Sequence, residues 1–151
     1  MRSNIGNNTM NNAIEIKPST DKEIKFIQDS LIQFNTQNVP FTQKIPFEKI
    51  NYVAKNEKKE ITAGIKSILY GWGVLFVDLL WVSEAYRGHG IGSHLMHKVE
   101  ETAKQKGCTL IHLDTFDFQA KDFYLKLGYE IFGTLEDCPP GHKRYYLKKK
   151  I

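Results

Sequence analysis

The sequence predicts a one-domain α/β protein with a mixed, strongly twisted β-sheet and helices on both faces. Strand-like and helix-like segments alternate along 151 residues, a length that suits one domain. One nearly all-apolar segment, VLFVDLLWV at residues 74–82, is typical of a central strand covered on both faces. The apolar fraction of 41% and the charged fraction of 25% are those of a globular protein.

The N-terminal segment is predicted to hold a disordered stretch, a short strand and a helix. Residues 1–12 are rich in Asn and are expected to be disordered, so that the domain spans residues 13–151. The segment AIEIK is predicted to be a strand. Thr20 and Glu23 have the spacing of a capping box. The amphipathic helix that follows is marked by Ile24, Ile27 and Leu31.

Two strands and a loop precede the central strand. TQNVPFTQKIP has two prolines and no clear period, so it is predicted to be a loop or broken helix at the rim of a substrate site. EKINYVAK and EITAGIKSILY are predicted to be strands joined by a turn at NEKK. The central strand contains one carboxylate, Asp78, which by strand parity shares a face with residues 76, 80 and 82.

The C-terminal half continues with two helices and three strands. A helix is predicted from about residue 91 to residue 106, and Gly107 is in the place of a C-cap glycine. Its buried stripe is expected to consist of Ile91, Leu95, Val99 and Ala103. CTLIHLDTF is a further strand, and FQAKDFYLKLG a short helix ending at Gly128. YEIFGTL and KRYYLKKK are predicted to pair around EDCPPGH.

Composition argues against several classes of function. The net charge of +4 and pI of about 9.0 would suit an anionic ligand, but they are too weak to predict nucleic-acid binding. Cys108 and Cys138 make no disulfide framework, and no metal-ligand spacing occurs. No segment resembles a signal peptide or a membrane span, so the expectation is a soluble cytoplasmic protein without membrane contact.

The glycine-rich stretch YRGHGIGSHLM at residues 86–96 is the strongest functional signal. It matches neither the P-loop pattern nor the Rossmann fingerprint. A third explanation is a diphosphate cradle at a helix N-terminus, where free amides and the helix dipole favour an anion. Glycines let a phosphate approach the backbone, and Arg87 adds a positive charge. A tight strand-to-helix turn without a ligand is the alternative.

This stretch resembles the acetyl-CoA-binding motif of the GNAT superfamily of N-acetyltransferases. That motif is Gln or Arg, two residues of any kind, Gly, any residue, then Gly or Ala. Arg87, Gly90 and Gly92 fill its fixed positions. The resemblance implies that the turn holds the pyrophosphate of CoA. The residues concerned are Arg87, Gly88, His89, Gly90, Ile91, Gly92 and Ser93.

A second segment, DFQAKDFYLKLGYE, resembles the late-helix motif of the same family, Asn-x-x-Ala-x-x-Phe/Leu-Tyr-x-Lys-x-Gly-Phe/Tyr. Asp117 stands where the family often has Asn. The resemblance implies contacts with the cofactor from Asp117, Ala120, Phe123, Tyr124 and Lys126. The two motifs lie about thirty residues apart and in the family's order, which makes the pair far more specific than a glycine pattern alone.

The resemblance also implies a mechanism. The sheet is expected to splay after DLLWV, and backbone groups of Leu80, Trp81 and Val82 bind the pantetheine arm. Tyr124 would protonate the departing thiolate, unless it is an ordinary half-buried aromatic residue. Asp78 is the candidate for the base that takes a proton from the substrate amine, unless it is a structural carboxylate. Glu84 or a water chain are the alternative bases. Three histidines, His94, His97 and His112, are expected to be surface or structural residues.

The expected function is direct transfer of an acetyl group from acetyl-CoA to a primary amine of a small molecule. No metal is expected to take part, and a homodimer is one possible assembly. The segments TQNVPFTQKIP, LYGWG and EDCPPGHKRYY would line the acceptor site and mix aromatic with charged residues. Two alternatives stay open. One is acetylation of a protein or peptide amine, and the other is a non-catalytic acyl-CoA sensor of the same fold.

Overall fold

The computed structural model describes residues 14–151, and the chain divides into two compact units, one ending at Pro40 and the other comprising Phe41–Ile151. The first unit contains helix α1, Asp21–Asn38. The Thr20 hydroxyl accepts from the Glu23 amide, and the Glu23 carboxylate accepts from the Thr20 amide, so the predicted capping box is confirmed.

The first predicted strand does not form. Residues 14–17 pair with no strand, and a strand forms only where a neighbouring backbone satisfies its amides and carbonyls. The prediction of a strand at AIEIK is therefore wrong for these residues. The expected disorder of residues 1–12 lies outside the part of the chain that the structure describes.

The second unit is built on a seven-stranded mixed sheet. Its order is β1-β3-β4-β5-β7-β6, with β2 also paired to β3; only β4 and β5 run parallel. The strands are β1 Phe47–Lys49, β2 Tyr52–Lys55, β3 Ile61–Tyr70, β4 Val74–Val82, β5 Leu110–Phe116, β6 Glu130–Glu136 and β7 Lys143–Lys150.

The predicted strand EKINYVAK is interrupted, so it forms β1 and β2 instead of one strand. At the interruption the Ser67 amide donates to Oδ1 of Asn51 over 2.9 Å, and the Ser67 hydroxyl donates to the Ile50 carbonyl. A side-chain oxygen thus takes the place of a backbone acceptor, and the ladder with β3 resumes only at Tyr52.

Two helices accompany the sheet. Helix α2, Ile91–Gln105, follows a 3₁₀ turn at Glu84–Tyr86, and α3 is Lys121–Lys126. Of the predicted α2 stripe, Leu95, Val99 and Ala103 are buried, together with Gly92 and Met96, and Ile91 is half-buried. They pack with β3, β4 and β5 side chains in one core cluster that also includes Tyr124 and Tyr129.

The sheet splays in the middle, as the resemblance implied. Strand β5 pairs with β4 only from Val74 to Val77, and beyond that point it remains paired with β7 alone. The opposite edge of β4 stays on β3, where the register shifts between Lys66 and Ser67 and leaves Asp78 without a partner, as in a β-bulge. The predicted α/β fold with a mixed, splayed sheet is confirmed.

The splay overturns two expectations about β4. Its second half is not covered on both faces, because Leu79 is 50% exposed and Trp81 48% exposed. The bulge also breaks the predicted parity of residues 76, 78, 80 and 82. Leu75 and Val77 are in the core before the bulge, whereas Leu80 and Val82 pack against the same core after it.

Candidate active site

A cavity of about 850 Å³ occupies the gap between β4 and β5, a volume within the range of small-molecule sites. It joins the end of β4, the glycine turn, the segment from β5 to α3, and one residue of β7. Most of the residues predicted for the site line it. They are Asp78, Leu80, Trp81, Val82, Arg87, Gly88, Gly90, Ile91, Gly92, Ser93, Ala120, Phe123 and Tyr124.

The glycine turn adopts a conformation that L-residues avoid. Gly88 has φ 76° and Gly90 has φ 78°, and Gly90 is the N-cap of α2. A Cβ at either position would meet no atom within 4 Å, so the space above the turn is open. The first amides of α2 therefore face a cavity that can accept an anion.

Arg87 and Gly92 fix the turn against its neighbours. Nε of Arg87 donates to the Val82 carbonyl over 3.0 Å, which holds the guanidinium at the end of β4. A Cβ on Gly92 would lie 3.3 Å from the ring of Phe123, so the missing side chain lets α2 approach α3 closely. The imidazole of His89 donates to the Arg87 carbonyl over 2.9 Å and does not line the cavity.

Tyr124 lines the cavity with a side chain that is otherwise buried. Burial raises the pKa of its hydroxyl to about 12, and the negative charge of Asp114 acts in the same direction. Within residues 14–151 the hydroxyl has no hydrogen-bond partner, so it is available to a ligand. At neutral pH it is protonated and can only donate its proton or accept a hydrogen bond.

Asp78 lines the cavity but is not buried. Its side chain is 42% exposed and forms an ion pair with Lys66 of β3. The expectation of a carboxylate in a buried strand is therefore wrong, because β4 is uncovered beyond Val77 and the bulge turns Asp78 outward. Glu84, the alternative base, lies in the 3₁₀ turn and does not line the cavity.

Two other predicted residues lie outside the cavity lining, Lys126 and Asp117. The Asp117 carboxylate accepts from Nδ1 of His142 and from the amide of Lys143, each over 3.0 Å. These two hydrogen bonds connect the end of β5 to the residues at the start of β7. His94 and His97 are exposed on α2, and His112 contacts the Tyr70 hydroxyl over 2.8 Å, as expected of surface and structural histidines.

The structure adds an ion pair that the sequence reasoning missed. Asp114 of β5 and Arg144 of β7 line the cavity and are in contact across the sheet. Asp114 could have been found by the criterion that selected Asp78, since it is one carboxylate within the apolar strand LIHLDTF. Arg144 belongs to EDCPPGHKRYY, a segment predicted to line the acceptor site, but nothing in the sequence pairs it with Asp114, which it follows by thirty residues.

Residues from both faces of the sheet line the cavity. Ile111 and Leu113 are buried on the face that packs against α2, and Tyr124 belongs to the same core. Asp114 and Phe116 alternate with buried residues along β5, so they lie on the opposite face. Tyr124 thus lies toward the face of the sheet that packs against α2, and Asp114 lies toward the opposite face.

Comparisons with known proteins agree with this arrangement. A family model, the acetyltransferase (GNAT) family, matches residues 21–129. A blasticidin-S acetyltransferase of Streptomyces morookaense is 34% identical over 116 residues, 76% of this chain and 85% of that protein. The crystal structure of an acetyltransferase from Bacillus cereus ATCC 14579 is 40% identical, with TM-score 0.84 over 91% of this chain and 98% of that chain.

A less similar structure shares the fold alone. An aminoglycoside 6'-N-acetyltransferase complexed with coenzyme A is 20% identical, with TM-score 0.61 over 90% of this chain and 97% of that chain. The family model and the relatives together show an enzyme of the acetyltransferase class. The chain belongs to the acetyltransferase (GNAT) family.

Within residues 14–151 no helix is long and apolar enough to cross a membrane. The same part of the chain contains no cluster of three or more His, Cys, Asp or Glu side chains that could hold a metal ion.

Proposed function

We propose that this enzyme transfers the acetyl group of acetyl-CoA directly to a primary amine of a small molecule. The observation that carries the proposal is the cavity through the splayed sheet. Its lining includes the anion-binding turn, Tyr124 and two carboxylates, Asp78 and Asp114. Both substrates can therefore be held together in one gap, so that no covalent enzyme intermediate is needed.

The turn and the edge of β4 suit the two ends of CoA. Amides at the N-terminus of α2 and the guanidinium of Arg87 would hold the pyrophosphate. Backbone groups of Leu80, Trp81 and Val82 face the gap where β5 no longer pairs with β4, so they can bind the pantetheine arm as a strand would. Acetyl-CoA supplies an activated thioester, whose carbonyl these amides can polarise.

The pKa of Tyr124 defines its part in the reaction. The pKa of the Tyr124 hydroxyl is about 12, and that of a thiol is about 8.5. At 1.36 kcal/mol per pKa unit, complete proton transfer from the hydroxyl to the thiolate is uphill by about 5 kcal/mol. The hydroxyl therefore acts mainly as a hydrogen-bond donor that stabilises the sulfur as the C–S bond breaks. Two carboxylates of the cavity, Asp78 and Asp114, are candidates for accepting the proton of the amine; Lys66 engages the first and Arg144 the second.

The acceptor class is supported by the relatives and by the cavity walls. One relative is named for acetylating blasticidin S, an antibiotic. In this chain Phe116 and Phe118 line the cavity beside charged groups, a composition that suits a cationic organic molecule. An antibiotic or a similar polar amine is therefore the acceptor we propose.

A panel of amines tests the proposal. The panel contains blasticidin S, an aminoglycoside, spermidine, lysine and a peptide with a free N-terminus, and release of CoA thiol is recorded with acetyl-CoA present. Turnover is expected with a small-molecule amine and should depend on Tyr124. Acetylation of the peptide alone, or tight acetyl-CoA binding without turnover of any amine, would contradict it.

A further inference from the structure

Two carboxylates line the cavity, Asp78 and Asp114. Their surroundings differ. The Asp78 side chain is 42% exposed, whereas the Asp114 side chain is 19% exposed. A charge in the less solvated position acts more strongly on a ligand, since solvent screens it less. Asp114 is therefore the stronger site for a cation.

Arg144 holds Asp114 through one oxygen only. Its Nε donates to Oδ1 over 2.8 Å, and its Nη2 forms an ion-pair contact of 2.7 Å with the same oxygen. Within the described residues Oδ2 has no hydrogen-bond partner. The guanidinium is itself fixed, because it lies over the rings of Phe116 and Tyr146 at 5.4 and 5.5 Å. One carboxylate oxygen is thus positioned by protein and the other remains for a ligand.

We infer that Asp114 binds the ammonium group of an aliphatic acceptor through Oδ2 and removes one proton from it, with Arg144 as a positioning residue. The inference rests on the proposed function. An N–H bond of the ammonium breaks, and an O–H bond forms on Asp114, which later returns the proton to solvent. The neutral amine then forms the C–N bond as the C–S bond breaks. The second proton lost by nitrogen ends on the CoA sulfur.

The position of Asp114 relative to Tyr124 supports this assignment. Both side chains line the cavity, and the charge of Asp114 acts on the Tyr124 hydroxyl. The attacking nitrogen and the departing sulfur bond to the same carbonyl carbon, so the groups that serve them must be close. The remaining titratable or charged groups around Asp114 are Arg144 and Tyr146 of β7, His112 of β5, and Asp78 of β4.

Binding of a simple ammonium tests the inference without a known acceptor. The probe is n-butylammonium chloride, titrated into the CoA-saturated protein at pH 7 and followed by ligand-observed NMR, with n-butanol as the uncharged counterpart. Asp114→Asn should weaken binding of the ammonium by about 10- to 100-fold, the range for a lost hydrogen bond to a charged group. Binding of n-butanol and of CoA should not change.

Three further variants make the result specific. Asp122→Asn removes a carboxylate of α3 outside the cavity and should bind the probe as the wild type does. Asp78→Asn should have at least a tenfold smaller effect than Asp114→Asn. Asp114→Glu keeps the charge and should retain most of the affinity, which keeps the test valid if the Asn variant does not fold.

The inference is overturned if Asp114→Asn binds the ammonium as the wild type does, if Asp78→Asn has the larger effect, or if the wild type does not prefer the ammonium to n-butanol. If Asp114→Asn does not fold, Asp114→Glu must bind the ammonium more tightly than n-butanol, and equal affinity would overturn the inference. Ammonium binding that depends on Asp114, in an enzyme that acetylates no amine of the panel, would refute the proposed function and leave this site in place.

Discussion

The assignment of the glycine turn can be tested by adding one methyl group at Gly90. In Gly90→Ala the new Cβ meets no protein atom within 4 Å, so the folded chain has room for it. The φ of 78° still penalises an L-residue by about 1–2 kcal/mol. For a chain of about 150 residues that corresponds to a loss of about 2–8 °C in melting temperature. The protein should therefore stay folded.

The effect on cofactor binding should be larger. The methyl group would enter the space above the α2 amides that a pyrophosphate needs, and the loss of one hydrogen bond to a charged group costs about 1.5–3 kcal/mol. The dissociation constant for CoA should therefore rise about 10- to 150-fold, measured by isothermal titration calorimetry at fixed salt concentration.

Gly107→Ala is the matched control. Gly107 follows the other end of α2, has φ 83°, and would also place its Cβ in open space, but it does not line the cavity. It should show the same loss of melting temperature and an unchanged affinity for CoA. If both variants lose stability equally and both bind CoA like the wild type, the turn does not hold the pyrophosphate.

Three other outcomes are expected. Tyr124→Phe should keep its affinity for CoA but lower kcat about 10²- to 10³-fold on a true acceptor, the range for a lost hydrogen-bond donor to a developing charge, and an unchanged kcat with chemistry limiting would remove the hydroxyl from the mechanism. Tyr129→Phe removes the 2.9 Å hydrogen bond to Glu100, so urea unfolding should show a loss of about 1.5–3 kcal/mol; no loss would mean that water replaces it. The pKa of Asp117 is lowered, since the Lys143 amide and His142 outweigh the upward effect of burial. Its ionised form therefore stabilises the fold above the unfolded pKa of about 3.9, and the deficit in melting temperature of Asp117→Asn at pH 7 should vanish as the pH falls through the folded pKa. A deficit that persists at lower pH would assign the effect to lost packing.

Local patterns predicted most of the elements. The capping box at Thr20, the buried stripe of α2 and Gly107 after its end are properties of contiguous residues, so they can be found in the sequence. The strand at AIEIK and the uninterrupted strand EKINYVAK failed for one reason. Strand formation depends on a partner, and the sequence does not say which backbone, or which side chain in place of it, a segment will pair with.

The interior of β4 shows the same limit. Its apolar run suggested cover on both faces, but β5 departs after Val77 and the bulge changes the direction of Asp78. A strand that borders a ligand gap can be as apolar as a strand inside a closed sheet, because a bound substrate can take the place of the missing neighbouring strand. The pattern is the same in both cases, and only the pairing of strands distinguishes them.

The sequence by itself determined the part of the candidate site that lies in contiguous stretches of the chain. The turn from Arg87 to Ser93 and the tyrosine on α3 can be found because their spacing is fixed by a turn and by a helix. Tertiary structure alone brought together the two charged residues of the proposed acceptor side. Asp114 and Arg144 are thirty residues apart and meet because β5 and β7 pair antiparallel. The sheet then opens beside them, so that one partly buried carboxylate lies next to open space. Pairing between strands that are far apart in the chain leaves no local sequence pattern, so only the folded structure shows this arrangement.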